Sequence, residues 1–194
     1  MTMTNISTAR ETLARMDKRI AEEKNPRYKK WIQVNRDHWW GEVINDLDMV
    51  MGTMSRGPIR YSYDGHPFMQ PPAGSLSLIN SIEATREMYA SILQVPGARA
   101  AGPMDNERFM LDDRGMFVYG LLTCVFPGVF ITQHSEPIDP EGLYLVRVPN
   151  MTMVRFDEND LMQGEDIING APQLIKRVDA SVVERLIDGP ISFD

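Results

Sequence analysis

The stretch MTMVRFDENDLMQGEDII, residues 151–168, decides the fold class of this chain of 194 residues. It holds two short runs that are rich in apolar, β-branched or aromatic residues, on either side of the turn sequence DENDL. Three similar runs precede it, at residues 107–112, 116–126 and 143–148. We therefore expect the region after Gly102 to form the antiparallel strands of a meander.

Helical periodicity dominates the sequence before Gly102. Thr8 and Glu11 have the spacing of a capping box, and the helix that follows should stop at Asn25-Pro26. Ser75 is placed to cap a later helix. The apolar spacings predict further helices over about residues 28–53, 75–94 and 172–186, and a short strand at residues 59–64.

This order of elements predicts an α+β protein with a cone-like, curved antiparallel or mixed sheet packed against about three helices. An extra N-terminal helix and an extra C-terminal helix would flank it. The predicted parts are a helical arm at residues 1–27, an α+β barrel domain at 28–170, and a C-terminal helix and tail at 171–194.

Composition excludes several classes of protein. There is no run of about 18 apolar residues and no basic-then-apolar leader, so we expect neither a membrane span nor a signal peptide, and a cytoplasmic location. A single cysteine, Cys124, excludes an internal disulfide framework and a cysteine-rich zinc site.

Charge is unevenly distributed along the chain. The net charge is −7, but the first 30 residues hold eight Lys or Arg and four Asp or Glu, which leaves the remainder at −11. An acidic body would repel phosphates, so we expect no nucleic-acid partner. We expect a homodimer or homotrimer that associates through the basic arm or through the face of the sheet.

Three stretches carry a resemblance to a known superfamily: RYSYDG at residues 60–65, TREMYASIL at 85–93 and VRFDENDLMQGEDI at 154–167. In this order, over about residues 28–170, the chain resembles the nuclear-transport-factor-2-like superfamily, which includes ketosteroid isomerases, SnoaL-like polyketide cyclases and scytalone dehydratase. The resemblance implies a bent sheet that closes against helices around one deep, mostly apolar pocket. Binding and scaffold members also occur, so the residues must decide the chemistry.

The resemblance also suggests a general base. Ketosteroid isomerases carry theirs at the end of the first strand, and Asp64 has the most similar place here. An apolar pocket would raise the pKa of this carboxyl towards the range useful for proton transfer. Alternatively, Asp64 accepts hydrogen bonds in a turn. Thr152 stands where the isomerases have the acid that polarises the steroid carbonyl, so we do not expect steroid isomerisation.

Phenols and imidazoles provide further acid–base candidates. Tyr61 and Tyr63 alternate along one strand, and either hydroxyl can stabilise an oxygen or simply fill the core. His66 and His134 lie in predicted loops, at a pocket rim or at the surface. We expect His38 at the surface. The three histidines lack the paired spacing of a metal site, so no metal is predicted.

Buried charge provides candidates for substrate binding. Arg147 shares a strand face with Leu143 and Leu145, where a guanidinium needs an anionic or carbonyl partner. A structural ion pair with Glu165 is the preferred interpretation, and contact with a substrate oxygen is the alternative. Asp46 beside the apolar face of the second helix is a lower-ranked candidate. Apolar lining is predicted from Phe68, Met69, Met110, Met151 and Met153, although core filling explains methionines equally well.

Together these residues predict a cofactor-independent lyase that acts by acid–base chemistry on a small hydrophobic, aromatic molecule. Dehydration and retro-aldol loss of formaldehyde from a lignin-derived diarylpropane both fit. The alternatives are an isomerase or cyclase of a polycyclic ketone and a non-catalytic binding module. No glycine-rich phosphate loop occurs, which agrees with the expected absence of a cofactor.

Overall fold

The computed structural model describes residues 4–64, 77–131, 137–189 and 191–193. This part of the chain contains five helices: α1 (Ala9–Glu22), α2 (Pro26–Val43), α3 (Leu47–Gly52), α4 (Ile82–Leu93) and α5 (Ala180–Asp188). Its nine strands are β1 (Thr4–Ile6), β2 (Tyr61–Asp64), β3 (Ser77–Ile79), β4 (Met104–Asp112), β5 (Gly115–Pro127), β6 (Leu143–Phe156), β7 (Met162–Asn169), β8 (Leu174–Val178) and β9 (Ile191–Phe193). No helix among these residues is long and apolar enough to cross a membrane.

Seven strands form one mixed sheet. Its order is β3-β2-β7-β6-β5-β4, and β8 pairs with β6 beside this path. Strands β2 and β7 run parallel, whereas the other pairs are antiparallel. The predicted α+β class with a mixed, mainly antiparallel sheet is therefore confirmed.

The two faces of the sheet belong to different cores. Side chains alternate along a strand, so adjacent residues of β5 and β6 point in opposite directions. Cys124 and its cross-strand partner Val146 pack in an inner cluster with Ala98. Val125 and its partner Leu145 pack in an outer cluster with residues of α5. Further along the inner face, side chains from α2, α3 and α4 join those of β5, β6 and β7.

The two ends of the chain pack together on the outer face. Strand β1 pairs antiparallel with β9, and Ile6 opposes Ile191 in this pair. Both side chains are buried in the cluster that contains Leu186 of α5. Arg10 of α1 also forms an ion pair with Asp188 at the end of α5. The basic arm is thus joined to the C-terminal tail of its own chain.

The capping box at the start of α1 is confirmed. The Thr8 hydroxyl accepts from the Glu11 N–H, and a Glu11 carboxylate oxygen accepts from the Thr8 N–H at 2.6 Å. The next helix differs from the prediction. It is interrupted after Val43, where Asn45 adopts a positive φ of 57° and Asp46 caps α3. A single helix over residues 28–53 was wrong, because α2 and α3 both bury apolar residues in one core and so share one apparent periodicity.

Two other predicted helices are shorter than expected. Helix α4 begins at Ile82 with Ser81 as its cap, and Ser75 lies outside the described residues. The predicted helix at 172–186 is instead a strand, β8, followed by α5. Leu174 and Val178 are four residues apart, a spacing that places side chains on one side of a strand as well as of a helix.

Candidate active site

A cavity of about 460 Å³ lies between the inner face of the sheet and helices α2 and α4. This volume is in the range of small-molecule sites. Its wall is mainly apolar, with Trp39, Ile92, Met104, Leu122, Phe126 and Ile167 among the lining residues. The lining also includes Ser91, which is exposed to solvent, so the cavity reaches the surface at α4. Besides Ser91, four polar side chains interrupt the apolar wall: Glu42, Tyr89, Asn150 and Glu165.

Each polar group is positioned by a different element. Glu42 lies in the last turn of α2, Tyr89 on α4, Asn150 on β6 and Glu165 on β7. Gly164 precedes Glu165 with a φ of 114°, and a Cβ there would lie 2.0 Å from the Arg60 carbonyl oxygen. Only glycine permits this close approach of the backbones.

The two carboxyl groups are poorly solvated. Glu165 is 8% exposed, and the Glu42 side chain is 19% exposed, towards the cavity that it lines. Burial raises the pKa of Glu42 to about 8 and that of Glu165 to about 7. The negative charge of Glu165 contributes to raising the pKa of Glu42, while a hydrogen bond with Tyr89 lowers the pKa of both. Both carboxyl groups are therefore harder to ionise than a carboxyl group in water.

A buried hydrogen-bond network continues behind the cavity wall. His38 Nε2 lies 2.8 Å from the Tyr89 hydroxyl, and His38 Nδ1 lies 2.7 Å from Thr53 Oγ1. The Tyr89 hydroxyl is in turn 3.3 Å from that of Tyr61. Burial lowers the pKa of His38 to about 4, so its imidazole is neutral at pH 7. The network links a neutral base to the carboxyl pair through a phenol.

Solved structures with a similar fold are known. A candidate SnoaL-like polyketide cyclase from Shewanella putrefaciens superposes with a TM-score of 0.55 at 11% identity, over 81% of this chain and 86% of its own. One from Jannaschia has a TM-score of 0.52 at 16% identity, over 88% and 99%. A candidate polyketide cyclase from Xanthomonas campestris has 0.52 at 8%, over 74% and 93%.

The chain has the fold of these SnoaL-like proteins. This confirms the fold that RYSYDG, TREMYASIL and VRFDENDLMQGEDI predicted from the sequence. At these low identities the likeness concerns the fold alone. Neither a protein-family model nor a curated protein matches the sequence.

Of the candidate residues that the sequence placed on the first strand of this SnoaL-like fold, the structure describes the side chain of Tyr61 but not those of Tyr63 and Asp64. The Tyr61 side chain is fully buried in the core, with its hydroxyl 3.3 Å from Met54 Sδ and 3.3 Å from the hydroxyl of the cavity-lining Tyr89. The backbones of Tyr63 and Asp64 pair with those of Ile167 and Ile168, but their side chains lie outside the described part. Residues outside the description altogether are His66, Phe68, Met69 and His134. The roles predicted for these side chains stay predictions.

Arg147 is on the far side of the sheet from the cavity. Its guanidinium pairs with Asp105 of β4 at 2.6 Å, so the predicted pair with Glu165 was wrong. Arg147 is two residues after Leu145 on β6, so both side chains point to the outer face of the sheet. Glu165 instead lines the cavity on the inner face. The sequence indicated correctly that Arg147 shares a face with Leu145, but not which face encloses the cavity.

Asp46 has a structural role at the start of α3. Its carboxylate accepts the Met49 N–H at 2.9 Å, and the residue is exposed to solvent outside the cavity lining. This corrects its candidacy for substrate binding. Thr152 lies nearer the site, because its hydroxyl donates to Oδ1 of the cavity-lining Asn150 at 3.0 Å.

The methionines predicted to line the pocket are also placed differently. Met110 and Met153 are 59% and 36% exposed, and Met151 is half-buried beside exposed residues of the outer face. In the described part of the chain, the methionine of the cavity wall is Met104 at the start of β4. Side chains alternate between the two faces along a strand, and these three methionines fall on the outer face, away from the cavity.

The sequence reasoning missed Glu42, Tyr89 and Asn150, and it placed His38 at the surface, whereas this residue is only 2% exposed. A signal for Glu42 and His38 was present. Glu42 follows Trp39 by three residues and His38 by four, which puts all three on one side of α2. The buried residues of α2 extend around most of its circumference, so one apolar stripe was too narrow a description.

Proposed function

We propose that this protein is a cofactor-independent acid–base enzyme that moves a proton within a small hydrophobic molecule bearing a carbonyl group. The observation that carries the proposal is the pair Glu42 and Glu165, two carboxyl groups with raised pKa facing one apolar cavity. A carboxyl group whose pKa is near the working pH serves as an acid or a base in proton transfer. The proposal agrees with the polyketide-cyclase names of the structural neighbours, which share only the fold.

The chemistry assigns different roles to the two protonation states. The ionised carboxylate removes a proton from the carbon next to the substrate carbonyl, and the C–H electron pair moves into an enol. The protonated carboxyl group donates its proton to the carbonyl oxygen. The first carboxyl group then returns the abstracted proton to another carbon of a conjugated enol, and the enol O–H proton goes back to the second carboxylate as the C=O bond re-forms. The substrate is isomerised with no atom gained or lost.

An isomerase or cyclase is therefore the function that these residues support best, because one base and one acid that both return to their starting states complete its cycle. The expected lyase would begin with the same enolisation but would also expel a leaving group. Its specific form, cleavage of a diarylpropane, rests on Tyr63, Asp64, His66 and His134, whose side chains lie outside the described part of the chain. Diarylpropane cleavage is therefore one of the results that the experiment below can distinguish.

The test is proton exchange in D₂O with a set of hydrophobic cyclic and aryl ketones, followed by NMR and mass spectrometry. We expect deuterium to enter the α-carbon of at least one ketone, with a double-bond or ring isomer as the product. Glu42→Gln and Glu165→Gln should each lower the rate about 100-fold or more. Glu158→Gln, which changes an exposed carboxylate, is the matched control.

Each other outcome has a distinct meaning. Unaltered exchange in both cavity variants would contradict the proposal. Saturable binding of ketones without exchange would indicate a binding module, and release of water or formaldehyde would indicate a lyase.

A further inference from the structure

A second group of polar side chains lies on the inner face of the sheet, beyond Ile167. Asn150 of β6 and Asn169 of β7 are cross-strand partners, and Asn150 Nδ2 donates to Asn169 Oδ1 at 2.9 Å. The Thr152 hydroxyl donates to Asn150 Oδ1 at 3.0 Å. Each of these three side chains is at most 9% exposed, and Asn150 lines the cavity. We call Asn150, Thr152 and Asn169 the amide cluster.

The amide cluster carries more protons than its own hydrogen bonds use. Its two amides have two N–H protons each and its hydroxyl has one, and two of these five protons are used between its members. Asn169 Nδ2 is buried with no hydrogen-bond partner in the part of the chain that the structure describes. Buried polar groups are nearly always paired, so unused N–H groups beside a cavity indicate an acceptor that enters from outside.

The amide cluster and the carboxyl pair lie at different places along the cavity. Asn169 follows Glu165 by four residues on β7, and the cavity-lining Ile167 lies between them on the same face of the strand. A strand rises about 3.3 Å per residue, so the backbones of Asn169 and Glu165 are about 13 Å apart. The two groups therefore contact different parts of an elongated ligand.

We propose that the amide cluster is a second subsite of the cavity, in which Asn150 donates to a keto oxygen distant from the carbonyl group that reacts. The amide oxygens already accept hydrogen bonds within the cluster, so the unused groups are donors. They are uncharged, which suits a neutral keto oxygen. The ligand class is thus an elongated, hydrophobic diaryl or polycyclic diketone.

This inference deepens the proposed function and rests on it for the statement that the other carbonyl reacts. Asn150 is the residue that would touch the ligand, whereas Thr152 and Asn169 position its amide through the two hydrogen bonds. The binding step can be measured without turnover.

The test compares two probes that differ in one oxygen. The first is biphenyl with an acetyl group at each para position, and the second has an ethyl group in place of one acetyl group. In isothermal titration calorimetry, the unaltered protein should bind the diketone about fivefold more tightly, the effect of one hydrogen bond. Equal affinities would show that water serves these N–H groups and would overturn the proposal, as would failure to bind either probe.

Substitutions locate the source of the preference. Asn150→Leu replaces the amide by an apolar side chain of similar size and should abolish the preference for the diketone. Asn169→Leu removes the acceptor that orients Asn150 and should reduce it. Ser91→Ala is the matched control, because Ser91 also lines the cavity but its hydroxyl already donates to the Met88 carbonyl oxygen. An unchanged preference in both asparagine variants would overturn the proposal.

A second readout reports on the amides directly. The side-chain NH₂ signals of Asn150 and Asn169 in ¹⁵N–¹H NMR spectra can be assigned by their loss in the two leucine variants. We expect them to shift with the diketone more than with the ethyl analogue. Equal shifts with both probes would contradict a hydrogen bond to the second oxygen. If Asn150→Leu does not fold, Asn169→Leu and the probe affinities of the unaltered protein still decide.

The two proposals fail in different ways. A diketone preference that depends on Asn150, together with no deuterium exchange into any ketone, would contradict the proposed function and support the subsite. Exchange that depends on Glu42 and Glu165, combined with equal binding of the two probes, would do the reverse.

Discussion

Glu165 illustrates how a single residue sets the chemistry of the cavity. Water would ionise its carboxyl group fully at pH 7, but on β7 it faces an apolar wall and a second carboxyl group. Burial disfavours the charged form of Glu165, and the charge of Glu165 in turn disfavours ionisation of Glu42. The pKa is therefore a property of the folded state, and it must appear as a pH-dependence of stability.

The carboxyl pair should make the protein less stable as the pH rises. The folded-state pKa of Glu165, about 7, is above the ordinary 4.5, so the folded protein binds more protons than the unfolded chain between these values. The favourable contribution is complete below pH 4.5 and is lost as the pH rises through 7. Glu165→Gln should remove this loss, so its free energy of unfolding relative to the parent should increase by about 1–3 kcal/mol from pH 5 to pH 9.

Urea unfolding of both proteins at the two pH values checks this expectation, and Glu158→Gln should match the parent at each. A difference between Glu165→Gln and the parent that did not change with pH would contradict the raised pKa.

His38 should have the opposite dependence. Its folded-state pKa is about 4, below the ordinary 6.5, so the unfolded chain binds more protons between pH 4 and 6.5. The contribution to stability is complete above pH 6.5 and is lost as the pH falls towards 4. Relative to the parent, His38→Gln should gain about 1–3 kcal/mol between pH 7 and pH 4.5, measured by urea unfolding. A parallel pH profile for the two proteins would show that His38 is not a buried neutral base.

At the scale of elements, the break between α2 and α3 determines where Glu42 ends up. Helix α3 folds back against α2 at Gly41, one residue before Glu42, and a Cβ at Gly41 would lie 2.9 Å from Val50 Cγ2. The close crossing requires a residue without a side chain. It brings α3, with Val50 and Thr53, beneath the His38 side of α2.

Gly41→Ala should therefore destabilise the protein by about 1–3 kcal/mol through overpacking. Gly52→Ala is the matched control, because a Cβ at Gly52 meets nothing within 4 Å and alanine favours a helix. Thermal unfolding of the two variants provides the comparison. Combination with Val50→Ala should recover part of the loss in Gly41→Ala, and equal stability of the two single variants would contradict this account of the crossing.

At the scale of the whole molecule, the outer face of the sheet is divided in two. Helix α5 and the β1–β9 pair cover the part around Leu145. The rest carries four exposed apolar side chains on adjacent strands: Met110, Tyr119, Met153 and Ile168. They lie in neighbouring rows, since Met110 and Met153 both flank Phe117, while Tyr119 and Ile168 both flank Met151.

The homo-oligomer expected from the sequence is best proposed on this open part of the sheet, because the basic arm is already packed on its own chain through β1 and Arg10. Sedimentation equilibrium at micromolar concentration should give a dimer or trimer. Met153→Glu should shift it to monomer, since a desolvated carboxylate in an apolar contact is costly. Val129→Glu, at an exposed position on a separate turn, is the control. A monomeric parent protein would contradict the expectation.

The amino-acid sequence alone determined what depends on neighbours along the chain. The capping box of Thr8 and Glu11 and the meander from β4 to β7 follow from local spacing, and with the order of elements they predict the α+β class. Local spacing gave a wrong prediction where a helix and a strand have the same spacing. Leu174 and Val178 are four residues apart, which fits either element, and they lie in strand β8 and not in a helix.

Only the tertiary structure decided which groups meet at the cavity. Glu42, Tyr89 and Glu165 come from three elements far apart in sequence, and Arg147 is separated from them by the thickness of the sheet. A strand's alternation tells which residues share a face, but packing of helices on that face decides whether it surrounds a cavity or a core. The raised pKa values arise from that packing, because desolvation depends on every element around a group and not on its neighbours in the chain.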